Sequence, residues 1–129
     1  MLGNQNNPHK VYLVDFGLAG TFKKTATTSR KIYSGEIGTI KYCPLASHYG
    51  LEQFPKDDLE SLGYLLVYLA SKDLPWYNLP KGLTEREKYD EIKKRKEETS
   101  IEKLSQGIGC LKKYFKLVKS FKIGDSIDY

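Results

Sequence analysis

The stretch Phe54-Pro55-Lys56-Asp57-Asp58-Leu59-Glu60-Ser61-Leu62-Gly63-Tyr64-Leu65-Leu66-Val67-Tyr68-Leu69-Ala70-Ser71 restricts the fold more than any other part of the chain. Leu59, Leu62, Leu66 and Leu69 recur at helical spacing, and Leu65 and Val67 fill the other side. The pattern predicts a helix that is apolar nearly all round. Pro55 suits its first turn, where a missing N–H costs nothing, and the Asp57-Asp58 pair complements the positive end of the helix dipole. A helix with so little polar surface needs cover, so it is predicted to be central.

The segments after it are helical too. In Leu83–Glu98, Thr84 with Glu87 three residues later forms a capping box, and acids early with bases late match the helix dipole, which predicts a surface helix. Ser100–Ile108 is a shorter helical candidate with Gly107 and Gly109 near its end, and Cys110–Lys122 places Leu111, Phe115 and Val118 on one face. Upstream, the polar Gly3–Lys10 stretch with its Asn7-Pro8 step leads into the apolar run Val11–Val14, a turn feeding a short β-strand. Thr21–Ile37, rich in Thr, Ser and Lys without periodicity, reads as a long surface loop of the kind that tends to be functional. No repeat, low-complexity tract or linker divides residues 1–129, which read as one unit.

Bulk properties exclude several classes. A chain of 129 residues removes about two-thirds of its unfolded surface from water on folding, and 40% hydrophobic with 29% charged residues is a globular composition rather than a disordered one. The net charge of +5 comes from 21 basic and 16 acidic residues. Its excess lies in runs such as Lys93-Lys94-Arg95-Lys96 and Lys112-Lys113, which read as solvated helix faces and not as a nucleic-acid surface. Cys43 and Cys110 lack the spacing of a zinc site or redox pair and read as reduced thiols. No leader opens the chain, and the longest apolar run, around Tyr64–Ala70, is far short of the roughly 20 residues of a membrane span. These features predict a soluble protein of the cytoplasm or nucleus, with no membrane partner.

The run Val11–Val14 ends on Asp15-Phe16-Gly17. The apolar residues and Phe16 could pack while Asp15 and Gly17 begin a turn. Alternatively, an Asp at a strand's carboxyl end, freed by a following Gly, could point into a cleft and ligate a metal held by phosphates. The tripeptide alone leaves both open.

Further segments follow in order: Gly38-Thr39-Ile40-Lys41-Tyr42, Gly50-Leu51-Glu52-Gln53, Asp57-Asp58-Leu59-Glu60-Ser61-Leu62-Gly63-Tyr64, Leu74-Pro75-Trp76 and Lys88-Tyr89-Asp90-Glu91-Ile92. Together with Val11–Ala19 they resemble the carboxyl-terminal lobe of a casein kinase 1 family serine/threonine kinase, through nearly the whole chain from Val11 to Tyr129. The resemblance implies a mainly α, partial protein-kinase-like fold: the C-terminal lobe only, with a short β segment before Asp-Phe-Gly and an activation loop after it. Asp15 would hold Mg²⁺ against the phosphates of ATP, Phe16 would set whether Asp15 faces in or out, and Gly17 would permit the turn. The Thr39 hydroxyl would reach the catalytic-loop Asp and help position the substrate hydroxyl. Asp58 would be the buried acid that hydrogen-bonds the catalytic-loop backbone, a scaffold rather than a chemical group.

The resemblance also implies a basic pocket for an already phosphorylated residue, carried by Lys41 where the family usually has Arg, and by Lys81 after a one-residue insertion. Lysine offers a point charge where arginine's fork binds phosphate bidentately, and Lys72-Asp73 in place of Gly-Ser puts an acid nearby, so the pocket is expected to be weakened. Pro44-Leu45-Ala46 departs from the family's Ser-Ile-Asn, and Ala46 has no polar group to repeat that Asn's contacts.

The 129 residues contain no Gly-rich phosphate loop, no strand Lys with its helix-borne Glu, and no His-Arg-Asp-type catalytic loop. Met1-Leu2-Gly3 resembles the segment directly after that loop's Asn-Phe, and Ser126–Tyr129 resembles the family's Pro-Asp-Tyr before its last helix, which implies a chain cut at both ends. One expectation is a piece of a casein kinase 1-like enzyme that transfers the ATP γ-phosphate to protein Ser/Thr, inactive alone. The other is a degenerate, pseudokinase-like lobe that acts as a binding or structural module. Expected partners are protein substrates and a missing amino-terminal lobe, or another protein, over the apolar surface around Val11, Leu13, Phe16 and the central helix. ATP and Mg²⁺ serve the intact family, with no tight binding expected of this chain alone.

Overall fold

The computed structural model describes residues 6–21 and 38–129. Within them lie five helices: α1 (Leu45–His48), α2 (Pro55–Ser71), α3 (Glu85–Glu98), α4 (Ile101–Leu104) and α5 (Gly109–Ser120).

Local chemistry accounts for most helix boundaries. Pro55 opens α2, and the Asp57 carboxylate accepts from the Phe54 N–H at 2.7 Å. The helix closes at Lys72, which takes a left-handed φ of 61° and donates its N–H to the Tyr68 carbonyl at 2.7 Å. Thr84 and Glu87 form the predicted capping box of α3: Thr84 Oγ1 accepts from the Glu87 N–H at 3.3 Å, and Glu87 Oε2 accepts from the Thr84 N–H at 2.8 Å. Ser100 caps α4 by accepting from the Lys103 N–H at 3.2 Å. The single turn α1 was not predicted, and it follows the buried Pro44 with no side-chain cap.

Tyr64, Val67, Leu74, Trp76, Ile92, Leu104, Leu111 and Phe115 form the core. Leu111, Phe115 and Val118 on α5 are all buried, as their one-face spacing predicts, and the Phe115 ring meets that of Tyr64 on α2 at 6.0 Å. The approach is closest at Gly63, where an added Cβ would fall 2.7 Å from the Phe115 ring and 2.9 Å from that of Tyr114. Trp76 meets Tyr64 edge-on at 4.9 Å. Tyr114 spans the same contact by donating to the Leu59 carbonyl at 2.8 Å.

Two expectations are corrected. Helix α2 is not central but covered on one side only: Asp57, Gly63, Tyr64 and Val67 are buried, whereas Leu62, Leu65, Leu66 and Leu69 are exposed, in line with the apolar surface expected around this helix and around Val11, Leu13 and Phe16. Its cover comes from α5 and from the loop carrying Leu74 and Trp76, and one helix and one loop reach only part of a cylinder. The β segment before Asp15 is absent too, since the described residues contain only isolated bridge positions at Val11 and Leu51 and no strand. A strand needs a run of hydrogen bonds to a neighbouring backbone, and among the described residues Val11–Val14 has only the single bridge position at Val11. The surface loop predicted for Thr21–Ile37 lies, beyond Thr21, outside the described residues, as does Met1-Leu2-Gly3. Among the described residues no helix is long and apolar enough to cross a membrane.

Candidate functional site

Asp15 has a left-handed backbone, φ 65°, and its Oδ1 accepts from the Gly17 N–H at 3.4 Å. Aspartate tolerates this region better than most residues because its carboxylate can bond the local backbone. Ala19 N–H closes the turn on the Phe16 carbonyl at 3.0 Å. Asp15, Phe16 and Gly17 are all exposed, so Phe16 does not make the packing expected of it within the described residues.

Thr39 is exposed, and its carbonyl accepts from the N–H groups of Tyr42 and Cys43, both at 2.9 Å, which closes the turn from Thr39 to Cys43. The Lys41 ammonium sits 3.9 Å from the centre of the Tyr77 ring, which itself stacks on Tyr68. Lys81 is exposed in the Lys81-Gly82 turn ahead of α3, and among the described residues no hydrogen bond or ring contact joins it to Lys41. The burial expected of Asp58 falls on Asp57 instead: the cap at Phe54 turns Asp57 inward, and its neighbour, about 100° further round the helix, faces out. Asp58 thus heads the exposed stripe Leu62, Leu65, Leu66 and Leu69. Partial desolvation, and then the charge of Asp57, raise its pKa.

Beneath the Thr39–Cys43 turn lies a polar cluster that sequence reading missed. Lys96 is only 4% exposed, although its basic run reads as a solvated face; that expectation is corrected for this residue. Its ammonium donates to the carbonyls of Ile40 at 2.8 Å and Cys43 at 2.7 Å, and lies 3.0 Å from His48 Nε2 and 3.7 Å from Cys43 Sγ. The rings of Tyr64 and Trp76 face it at 5.2 and 5.4 Å. Trp76 adds a second fastening by donating Nε1–H to the Lys41 carbonyl at 2.8 Å. Burial lowers the Lys96 pKa to about 8, against the opposing pull of Cys43 and Glu60. Burial, then the charges of Lys96 and Lys93, lower that of His48 to about 4. Burial raises the Cys43 thiol, with Lys96 acting against it. The signal available in the sequence was the four-residue step from Ile92, which puts Lys96 on the buried face of α3.

The arrangement positions backbone, and Asp15 bonds the Gly17 N–H of its own turn. Among the described residues there is no group of three His, Cys, Asp or Glu side chains able to hold a metal ion. One exposed carboxylate is a poor match to a Mg²⁺–nucleotide site, which needs further ligands and a phosphate cradle. An open groove of about 270 Å³ beside α3, lined by Lys94, Arg95, Glu98 and Lys103 among others, includes none of the residues expected to act. No protein-family model matches the chain.

Proposed function

We propose that the chain is the substrate-side part of a casein kinase 1-like serine/threonine kinase, contributing to ATP-dependent phosphoryl transfer only when the catalytic loop and phosphate-binding elements are supplied. The reading rests on the resemblance carried by its ordered segments. The structural observation that supports it best is the exposed stripe of α2, an acid followed by four leucines at Leu62, Leu65, Leu66 and Leu69. Val11, Leu13, Phe16 and Leu18 are further exposed apolar residues, and large exposed apolar patches mark surfaces that a partner covers. In this reading the Asp58 carboxylate, already partly desolvated, accepts hydrogen bonds from the catalytic-loop backbone, and the leucines pack beneath that loop. The exposed Thr39 hydroxyl is free to meet the catalytic base, and Asp15 contributes one carboxylate to a metal shell that these residues do not complete.

Ala46 favours the second reading, a degenerate lobe used as a binding module, because it is buried where the family carries a polar Asn. Mixing the chain with a casein kinase 1 amino-terminal half that ends at its catalytic-loop Asn-Phe separates the two. The enzyme reading expects phosphate transfer to casein by the mixture and by neither part alone. A stable complex without transfer supports the binding module.

A further inference from the structure

The Thr39–Cys43 turn is fastened from below by side chains distant in sequence, and the donors can be counted. A lysine ammonium has three N–H groups, and Lys96 has three nitrogen and oxygen acceptors in reach, the Ile40 carbonyl, the Cys43 carbonyl and His48 Nε2; the weaker acceptor Cys43 Sγ lies 3.7 Å from the ammonium and 3.5 Å from Nε2, with its own hydrogen directed to the Ile40 carbonyl at 3.4 Å. Filling all three requires Nε2 to carry the lone pair, so the neutral ring keeps its hydrogen on Nδ1. That nitrogen is buried and has no hydrogen-bond partner among the described residues. A neutral Lys96 reverses the count. Its two N–H groups still serve the two carbonyls, while its lone pair accepts from an Nε2–H, and Nδ1 is left with only a lone pair.

We infer that Lys96 and His48 form a proton-coupled clamp on the Thr39–Cys43 turn, in which loss of one proton from Lys96 to solvent accompanies movement of the His48 ring hydrogen from Nδ1 to Nε2. Both turn carbonyls keep their donors in either state, so the clamp changes its charge without releasing the turn. The change is one unit of charge beneath the exposed Thr39 and the Lys41 side chain. The groups facing the pair come from every element around it: Cys43 from the turn, Glu60 and Tyr64 from α2, and Lys93 and Tyr89 from α3, the last with its ring 4.7 Å from that of His48. Among the described residues no carboxylate forms an ion pair with Lys96, so nothing nearby fixes its charge outright. The depressed pKa of Lys96, about 8, brings the transition within reach, and that of His48, about 4, keeps the ring neutral throughout. The inference is independent of the phosphotransfer reading.

Ring ¹⁵N and ¹³Cδ2 shifts of His48 in the intact chain, followed from about pH 6 to 10, report the tautomer directly. The expected result is a change from Nδ1–H to Nε2–H with a midpoint near 8, with the Tyr42 and Cys43 amides remaining protected from exchange relative to their intrinsic rates. In Lys96→Met the transition is expected to vanish and the amide protection to fall. Should that variant not fold, Lys96→Arg keeps its charge over the whole range, and His48 is expected to remain Nδ1–H. A single tautomer across the range in the wild type overturns the clamp, as does a transition that persists in either variant.

Discussion

Acidifying the protein is expected to destabilise it through His48. In the native state the ring is 6% exposed, packed against Tyr89 and beside the Lys96 ammonium, and its pKa is lowered from 6.5 to about 4. An unfolded chain takes up the histidine proton near 6.5, so between about 4 and 6.5 the unfolded state binds more protons, and stability rises with pH. The contribution is complete above 6.5 and is lost as pH falls to about 4. At 1.36 kcal/mol per pH unit that interval corresponds to about 3 kcal/mol, a large share of the 5–15 kcal/mol that holds a typical domain. Urea unfolding followed by fluorescence of the single tryptophan, Trp76, measures the loss at pH 7 and pH 4 in wild type and His48→Gln. Glutamine accepts from Lys96 but does not titrate, so carboxylate contributions cancel between the two proteins. The wild type is expected to lose about 3 kcal/mol more than the variant. Equal losses in the two proteins refute the argument that a buried neutral imidazole carries this sensitivity.

Gly63→Ala is expected to destabilise by about 1–3 kcal/mol despite alanine's better helix propensity, because the added methyl meets the Phe115 and Tyr114 rings below 3 Å; thermal unfolding reads the change. Trp76→Phe removes the Nε1–H that holds the Lys41 carbonyl and leaves that acceptor to find another donor, an expected cost of about 1–3 kcal/mol, with faster exchange at Tyr42 and Cys43 in hydrogen-exchange mass spectrometry. Thr84→Ala removes the cap of α3 at a cost of about 1 kcal/mol by urea unfolding. Calorimetry of the intact chain with Mg²⁺–ATP is expected to show no micromolar binding, and tight binding abolished by Asp15→Asn contradicts the view that Asp15 is only part of a metal shell.

Helices α2, α3, α4 and α5 were legible because their determinants are local. Thr84 with Glu87, Pro55 with Asp57, and Leu111 with Phe115 and Val118 act within a few residues of one another. The turn α1 was not, since it has no capping side chain and depends on burial of Pro44, Ala46 and His48 by distant segments. Val11–Val14 has the composition of a strand, but composition does not supply the neighbour a strand requires. Exposure of the α2 leucines depends on what lies over them, information their spacing does not carry. Asp57 and Asp58 are equivalent by composition, and only the cap at Phe54 decides which is buried. In the candidate site, the segment Gly38–Tyr42 was singled out, but the Lys96 and His48 beneath it were hidden, one in a basic run and the other 48 residues away. A buried lysine satisfied by backbone carbonyls leaves almost no trace in sequence.

The central claim, that this chain supplies competent parts of a kinase site, is tested most directly by covalent joining to a casein kinase 1 amino-terminal half ending at its catalytic-loop Asn-Phe. Phosphoryl transfer depends on positioned charge, so the joined protein is expected to phosphorylate casein, and Asp15→Ala in the same protein to reduce kcat by at least about 100-fold without loss of folding. A folded joined protein with no activity, or one whose activity is indifferent to Asp15→Ala, contradicts the claim.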